Sequence, residues 1–264
     1  MAPSGTGPLE GVGVLVTRPA HQAERLCRLI EQQGGTAVRY PVLEIADPPD
    51  PEALREVARR LEEFDFAVFV SANAVSRALK AILAVRAWPA SLPIVVIGRR
   101  SAEELRRFGL HAAIFPRQDF NSEALLALPE MQRLQGRRFV VFRGVGGREL
   151  LAQTLRERGA EVEYIQAYRR LQPQVSVQAV LRHWRSGEID IALANSVESL
   201  ENLFAMVGEE GRGLLTRTPL VVVSERMLPL VRRLGFEREP VVAKNATDEA
   251  VLSALLAWKR SGAC

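Results

Sequence analysis

The chain has 264 residues, of which 47% are hydrophobic and 25% are charged, values typical of a globular protein with room for one large domain or two smaller ones. The 35 basic residues against 31 acidic ones give a net charge of +4, without a basic run that carries interleaved aromatics, so we expect no nucleic-acid partner and favour a small acidic one. No export leader and no apolar stretch long enough for a membrane span appears, so we expect a cytoplasmic protein with no membrane association, and a monomer.

Short β-branched segments alternate with amphipathic ones along the chain, which is typical of βα units packed around parallel sheets. Helices are predicted in most of the gaps, as over 22–33, where Leu26, Leu29 and Ile30 form an apolar stripe. Ten strands are predicted, in chain order 12–17, 37–41, 66–70, 94–97, 112–115, 139–142, 162–166, 189–194, 220–223 and 241–243. The fold class is therefore α/β.

The two halves of the sequence resemble each other. When 11–40 is laid over 136–165, the order of strand, helix and turn repeats, and the match continues over most of each half. Identical residues fall opposite each other in the pairs Arg18 and Arg143, Leu26 and Leu151, Gly34 and Gly159, Asp65 and Asp190, Ser71 and Ser196, and, after one inserted residue, Pro93 and Pro219, Gly109 and Gly235. We therefore predict an internally repeated architecture.

Prolines mark one point in each copy, at ADPPDP (46–51) and at LQPQ (171–174). We interpret both as connections between domains, with linkers near 44–51 and 167–174. This interpretation predicts one continuous α/β lobe over 47–168 and one discontinuous lobe formed by 1–44 and 174–264, each with five strands. A contiguous split near residue 130 is the alternative, but it leaves both proline segments unexplained.

Several familiar chemistries have no motif here, because the sequence contains no GxxxxGK[ST], HExxH, GxSxG or CxxC. The two cysteines, Cys27 and Cys264, suggest neither a disulfide framework nor a zinc site, and the three histidines are scattered. The glycines of 144–147 lack the third glycine of a dinucleotide fingerprint. We expect no cofactor and no metal.

The turns from strand to helix carry the remaining polar chemistry. They combine hydroxyl, amide and guanidinium groups in Thr17-Arg18, Ser71-Ala72-Asn73, Gly98-Arg99-Arg100-Ser101, Arg143-Gly144, Asn195-Ser196 and Ser224-Glu225-Arg226. In open parallel sheets such turns lie at the carboxyl edge, where free helix amides attract anions. The serines and asparagines are equally explained as helix caps. Arg18 and Arg143 each end an apolar strand, where ligand contact and a salt bridge are the two explanations.

Taken together, the segments VLVTRP, FVSANAV, VIGRRSAEEL, FRGVGGRELL, GAEVEYIQAYRR and VVVSERMLPLVRRLGF, followed by VAKNATDEAVLSAL, resemble those of the uroporphyrinogen-III synthase family in order and spacing. The resemblance runs from Val14 to Leu256. It implies two flavodoxin-like or Rossmann-like lobes joined by a two-segment linker, in agreement with the two proline-marked connections.

The resemblance also implies a reaction. The substrate would be hydroxymethylbilane, a linear tetrapyrrole with an acetate and a propionate on every pyrrole. Loss of its terminal hydroxyl gives an azafulvene, and a spiro intermediate then leads to a closed ring with ring D inverted, without a cofactor. Because the bilane also closes unaided to the uninverted isomer, the protein must mainly hold one conformer and help the hydroxyl leave.

The resemblance assigns hydroxyl departure to Tyr168 of QAYRR; the alternative for this residue is aromatic packing between lobes. The positions that receive substrate carboxylates fall on Ser71, Asn73, Gly98, Ser101, Ser196 and Thr247, and we add Arg18, Arg143, Gly144, Arg148 and Ser224 as binding candidates. The chain departs from the family pattern at Met227-Leu228, where a Thr-Ala pair is usual, and at Val70, Ala194 and Asn195.

Two other functions stay open at this point. A two-lobed sensor or binding module of the same fold, without catalysis, is the leading alternative. A nucleotide-dependent transferase is the second, and the missing phosphate-binding loop counts against it.

Overall fold

The computed structural model describes residues 7–147 and 149–262. The chain forms two compact units. We call Ile45–Arg170 the continuous unit, and the residues up to Glu44 together with those from Leu171 onward the split unit. Among the residues described, no helix is both long and apolar enough to span a membrane.

Each unit is built around a five-stranded sheet flanked by helices. The strands are β1 (Gly13–Val16), β2 (Thr36–Arg39), β3 (Glu44–Ala46), β4 (Phe66–Phe69), β5 (Ile94–Val96), β6 (Arg138–Gly144), β7 (Glu161–Leu171), β8 (Ile191–Ala194), β9 (Leu220–Val222) and β10 (Val241–Val242). The helices are α1 (Ala20–Gln32), α2 (Glu52–Arg59), α3 (Ala72–Leu83), α4 (Arg99–Arg107), α5 (Ser122–Leu126), α6 (Leu150–Glu157), α7 (Val177–Arg185), α8 (Val197–Met206), α9 (Gly208–Arg217), α10 (Leu228–Arg233) and α11 (Asp248–Arg260). Single 3-10 turns lie at Leu61–Glu63, Pro129–Met131 and Glu225–Met227.

The strand orders of the two sheets reflect the sequence repeat. The split unit has the order β10-β9-β8-β1-β2, with every neighbouring pair parallel. The continuous unit has the order β3-β7-β6-β4-β5, with β7, β6, β4 and β5 parallel in turn. The repeat matches β1 with β6, β2 with β7, β8 with β4 and β9 with β5. These strands follow one another in the same order in both sheets, while β10 and β3 are added at opposite edges. Gly34 and Gly159 also match, since both follow a helix with positive φ, at 84° and 86°.

In each sheet, one aspartate directly precedes a central strand, and the two aspartates are matched by the sequence repeat. The Asp65 carboxylate accepts a hydrogen bond of 2.8 Å from the backbone N–H of Arg138, and Asp190 accepts one of 2.7 Å from that of Gly13. In each case the aspartate N–H returns a 2.8 Å bond to the carbonyl of the same partner residue. The aspartate therefore fixes where β4 pairs with β6 and where β8 pairs with β1.

Three strand predictions need correction. The predicted strand 112–115 is wrong: Ile114 forms only one parallel bridge, to Val95, because β5 spans just three residues before α4 begins. The fifth strand of the continuous unit is instead β3, which the sequence analysis missed. The strand predicted at 162–166 continues as β7 through Leu171, so most of the expected linker 167–174 is strand.

The core of the split unit lies on both faces of its sheet. Leu15 faces a cluster formed with α7, α8, α9 and α10, whereas Val14 and Val16 face α1 and α11. This alternation follows from the period of two along a strand, and all four residues of β1 are buried, as expected for a central parallel strand. Because the strands of this sheet are parallel, their carboxyl ends lie at one edge, where the helices that follow them begin.

Replacing Asp65 with Ala should lower the free energy of unfolding by about 1–3 kcal/mol, because a part-buried N–H loses a charged acceptor. The backbone bond from Arg138 and then the Arg137 guanidinium hold the pKa of Asp65 below its ordinary value. This depressed pKa stabilises the folded state above the ordinary pKa of about 4, and the benefit is lost as the pH falls through the folded value.

Urea unfolding of the wild type and of Asp65→Ala should be measured from neutral pH downward. The difference between them should be largest at neutral pH and shrink below about pH 4. The exposed Glu161→Ala variant is the control. A difference that does not change with pH would contradict the role given to the carboxylate.

Candidate functional site

In the continuous unit, Ser71 and Tyr168 lie together at the carboxyl edge of the sheet. Ser71 is the N-cap of α3, and its hydroxyl accepts a 3.1 Å bond from the N–H of Ala74. The same Oγ lies 3.2 Å from the hydroxyl of Tyr168, which is only 2% exposed. Nη2 of Arg170 donates to that tyrosine hydroxyl over 3.3 Å. One buried phenol therefore contacts both a hydroxyl and a guanidinium.

An irregular register places Tyr168 against Gly144. The pairing of β6 with β7 passes from Arg143–Gln166 to Gly144–Tyr168 and skips Ala167, as in a β-bulge. A Cβ built on Gly144 would lie 2.7 Å from Cζ of the tyrosine ring and 3.1 Å from its hydroxyl. Gly144 is thus required so that the phenol can approach the backbone.

A cavity of about 190 Å³ opens beside these residues within the continuous unit. Its walls combine apolar side chains with polar and charged ones, as small-molecule sites do. The lining includes Val70, Ile97, Gly144, Tyr164, Tyr168 and Arg170. Burial raises the pKa of Tyr164, so its hydroxyl stays protonated in the neutral range.

Arg143 is buried and is held by its own loop. Its Nε donates to the Gly146 carbonyl over 3.1 Å, its Nη1 pairs with Glu149 at 2.8 Å, and its guanidinium lies 4.5 Å from the centre of the Tyr164 ring. The hydrogen bond from Arg143 lowers the pKa of Glu149, so this carboxylate is charged near neutral pH. The sequence analysis gave ligand contact and a salt bridge as the two explanations for Arg143. Both remain, because Arg143 lines the cavity and its partner Glu149 has a side chain that is 64% exposed.

Its counterpart Arg18 lies in the split unit in a more enclosed ion pair. Arg18 pairs with Asp248, the first residue of α11, and donates to Ala246 O over 3.1 Å and to Asn195 Oδ1 over 3.3 Å. The side chain of Asp248 is only 12% exposed. The repeat therefore places two arginines in equivalent positions but gives them partners of very different accessibility.

The remaining candidates of the split unit are helix caps. The Ser196 hydroxyl accepts from the Ser199 N–H in a capping box that begins α8, and Thr247 caps α11 by accepting from Ala250. Ser224 caps the 3-10 turn before α10. Met227, where the family pattern has Thr, is buried in the core. Capping engages these side chains and leaves anion binding by them a prediction.

Three further candidates lie in the continuous unit. Gly98 is the extended N-cap of α4, and Ser101 is 4% exposed in the first turn of that helix. Asn73 lies in the first turn of α3, directly after the cap. Arg148 falls outside the described residues. The structure thus brings Arg143, Gly144 and Tyr168 around one cavity, with Ser71 in contact with the tyrosine and with Arg170 as a lining residue that the sequence analysis had not singled out.

The sequence contained a signal for the contact of Arg170 with Tyr168, but none for the ion pairs of Glu149 and Asp248. Residues two apart on a strand share a face, so QAYRR on a strand implies that Arg170 accompanies Tyr168. Asp248 and Glu149 pair with arginines from another part of the chain or across a loop, and no local spacing indicates such contacts. Among the described residues, no group of three or more His, Cys, Asp or Glu side chains is arranged to hold a metal ion.

Parallel strands that end in hydroxyl and guanidinium groups beside helix starts define an α/β protein whose candidate site lies at the carboxyl edge of a sheet, the edge at which open α/β folds bind ligands. The family model for uroporphyrinogen-III synthase HemD matches residues 24–253. The chain belongs to the uroporphyrinogen-III synthase family.

Curated relatives support this membership, and solved structures share the fold. The uroporphyrinogen-III synthase of Escherichia coli K12 is 32% identical over 92% of this chain and all of its own length, and that of Salmonella typhimurium LT2 is 33% identical with the same coverage. A mutant uroporphyrinogen III synthase from Thermus thermophilus shares the fold, with a TM-score of 0.62 at 22% identity over 95% of this chain and 98% of that one. The Helicobacter pylori 26695 synthetase gives 0.55 at 14% identity, over 93% and 99%.

Gly144→Ala should lower the free energy of unfolding by about 1–3 kcal/mol, because the new methyl group overlaps the Tyr168 ring. Gly98→Ala is the matched control, since a Cβ there meets only the Cβ of Phe120 at 3.5 Å, and its effect should stay below about 1 kcal/mol. Urea titration of both variants measures the difference. Equal losses would contradict the close packing of the tyrosine.

Arg18→Ala should destabilise the protein by about 2–4 kcal/mol, because among the described residues it leaves the enclosed Asp248 with only the exposed Arg25 as an ion-pair partner. Arg143→Ala should cost less, since Glu149 returns to water. Adding Asp248→Ala to Arg18→Ala should recover part of the loss. Thermal and urea unfolding would refute this ordering if Arg143→Ala proved the more damaging of the two.

Proposed function

We propose that this protein is a uroporphyrinogen-III synthase that converts hydroxymethylbilane into the cyclic isomer with ring D inverted. The observation that carries the proposal is the buried Tyr168 hydroxyl, held between Ser71 and Arg170 on the wall of a cavity in a chain of this family. The relatives named above are synthases, and that supports an enzyme over the alternative of a sensor without catalysis.

The first chemical step we propose is departure of the terminal hydroxyl. The carbon–oxygen bond breaks, the oxygen takes the Tyr168 proton, and water leaves. The electrons of the pyrrole stabilise the resulting carbon cation, and the pyrrole N–H proton then returns to the phenolate, so that an azafulvene remains. Acid assistance of this kind contributes typically about 100- to 10,000-fold to a rate, and we expect a smaller contribution here because the bilane also closes unaided.

Ring D then attacks the azafulvene through its already substituted carbon to form the spiro intermediate, which fragments and recloses. We propose that the protein directs this outcome by holding the acetate and propionate groups of one conformer. Ser71, Asn73, Gly98, Ser101, Gly144, Arg148, Ser196, Ser224 and Thr247 are the proposed contacts. The substrate's many carboxylates would share amides, hydroxyls and guanidinium groups.

Of the two matched arginines, we propose that Arg143 is the one that contacts substrate. A carboxylate must displace the arginine's present partner, and Glu149 is 64% exposed whereas Asp248 is 12% exposed. A charged group already in water is replaced more easily than an enclosed one. Binding by Arg18 stays a prediction that its enclosed ion pair disfavours.

We also propose that the two units are flavodoxin-like lobes, with linkers near 44–51 and 167–174 and domain limits at 1–44 plus 174–264 and 47–168. The strand content of these linkers supports a revision in which only about 47–51 and 172–174 are irregular. The cytoplasmic location and the monomeric state stay predictions, and size-exclusion chromatography with light scattering measures the latter.

The decisive assay supplies fresh hydroxymethylbilane from a coupled synthesis and separates the two cyclic isomers by chromatography. Buffer alone should give the uninverted type I isomer, and the protein should divert the product to type III with no metal or nucleotide added. An isomer ratio equal to that of buffer would overturn the proposed function.

Tyr168→Phe should reduce turnover about 10- to 1000-fold with little change in KM, because only the proton donor is removed. Tyr164→Phe is the matched control, since it removes a hydroxyl from the same strand and cavity whose charged neighbours are Arg143 and Glu149 and to which no proton transfer is assigned. Its turnover should stay within about threefold of the wild type. Unaltered turnover in Tyr168→Phe would refute the role of the phenol.

A further inference from the structure

We propose that Arg170 is a positioning residue for Tyr168, directing the phenolic proton toward substrate and stabilising the phenolate left when that proton departs. This inference rests on the proposed function and deepens it. It assigns a role to the Arg170 guanidinium, which donates a hydrogen bond to the tyrosine hydroxyl.

The geometry of β7 brings the two side chains together. Tyr168 and Arg170 are two residues apart on one strand and so share a face. Nη2 of Arg170 lies 3.3 Å from the phenolic oxygen, and its central guanidinium carbon lies 5.8 Å from the centre of the tyrosine ring. The contact therefore involves both the hydroxyl and the ring face.

Hydrogen-bond accounting gives the contact a direction. A guanidinium only donates, so in this pair the tyrosine oxygen must accept, and its own proton points elsewhere. Among the described groups, the Ser71 Oγ at 3.2 Å is within reach of that proton, and a substrate hydroxyl in the cavity would be a second acceptor. Ser71 Oγ already accepts from the Ala74 N–H with one of its two lone pairs, so a substrate hydroxyl would compete with it for the proton.

After proton transfer, Arg170 and Ser71 can both donate to the tyrosine oxygen. The proton goes to the departing hydroxyl and the phenol keeps the electron pair as a phenolate. Arg170 then donates to a charged oxygen, and the Ser71 hydroxyl can rotate to donate its proton there as well. Donors already in place where charge develops stabilise it without reorganisation, so loss of Arg170 should slow turnover more than it weakens binding.

The neighbouring Arg169 is the matched control. It is also exposed, carries the same charge and lies on the opposite face of the strand. Arg169→Gln and Arg170→Gln therefore change the net charge equally, and only the second removes the donor to the phenol.

In the isomer-resolved assay with hydroxymethylbilane, Arg170→Gln should lower kcat about 5- to 50-fold with KM within about threefold. This loss is smaller than that for an enclosed donor, because an exposed guanidinium is partly screened by water. Arg170→Lys should recover part of the rate, since an ammonium also donates and carries charge. Arg169→Gln should stay within about twofold of the wild type.

A double-mutant cycle separates this role from a structural one. In the Tyr168→Phe background, Arg170→Gln should change kcat by less than about twofold, because its acceptor has already gone. Fully additive losses would overturn the inference, as would a KM increase at unchanged kcat. Failure of the wild type to form the type III isomer would overturn the proposed function itself, so the two outcomes are distinguishable.

Discussion

The hydrogen bond that the first backbone N–H of a strand donates to an aspartate carboxylate at the start of the neighbouring strand is the contact on which both sheets depend. Asp65 bonds to Arg138 and Asp190 to Gly13, each beside a reciprocal backbone bond. These pairs set which residue of one central strand faces which residue of the other. A slip by one residue would turn every side chain of the strand to the opposite face. The register at the amino ends therefore decides what meets at the carboxyl ends, where Phe69 lies opposite Phe142 and the polar residues follow.

The sequence predicted the repeated α/β pattern well, because both copies carry strong apolar periodicity and matched punctuation at Asp65, Asp190, Gly34 and Gly159. The prediction from sequence failed where the length of a strand depends on the strand that pairs with it. The segment around Ile114 has a β-like composition, yet β5 offers it only one register partner. β3 is three residues long and exists through its pairing with β7, a contact between distant parts of the chain.

The candidate site was likewise predicted only in part from the sequence. Ser71, Gly144, Arg143 and Tyr168 were recognised individually, and in the structure the last three line one cavity of the continuous unit while Ser71 contacts the tyrosine. What makes them a unit could not be inferred from spacing. The skipped Ala167 aligns the tyrosine with a glycine that has no side chain to obstruct it. The ion pairs of Arg18 and Arg143 differ through burial of their partners, a property of the folded state.

The strand orders have a consequence for synthesis on the ribosome. Each sheet combines the first two strands of one sequence copy with the later strands of the other. The continuous unit emerges without interruption, so its sheet can close while the chain is still growing. β1 and β2 emerge first of all, yet the partner of β1 on its other side, β8, follows only after that whole unit. Until β8 has been synthesised, the backbone edge of β1 stays unpaired and its apolar side chains stay uncovered. Nascent chains in this condition tend to aggregate or need chaperones.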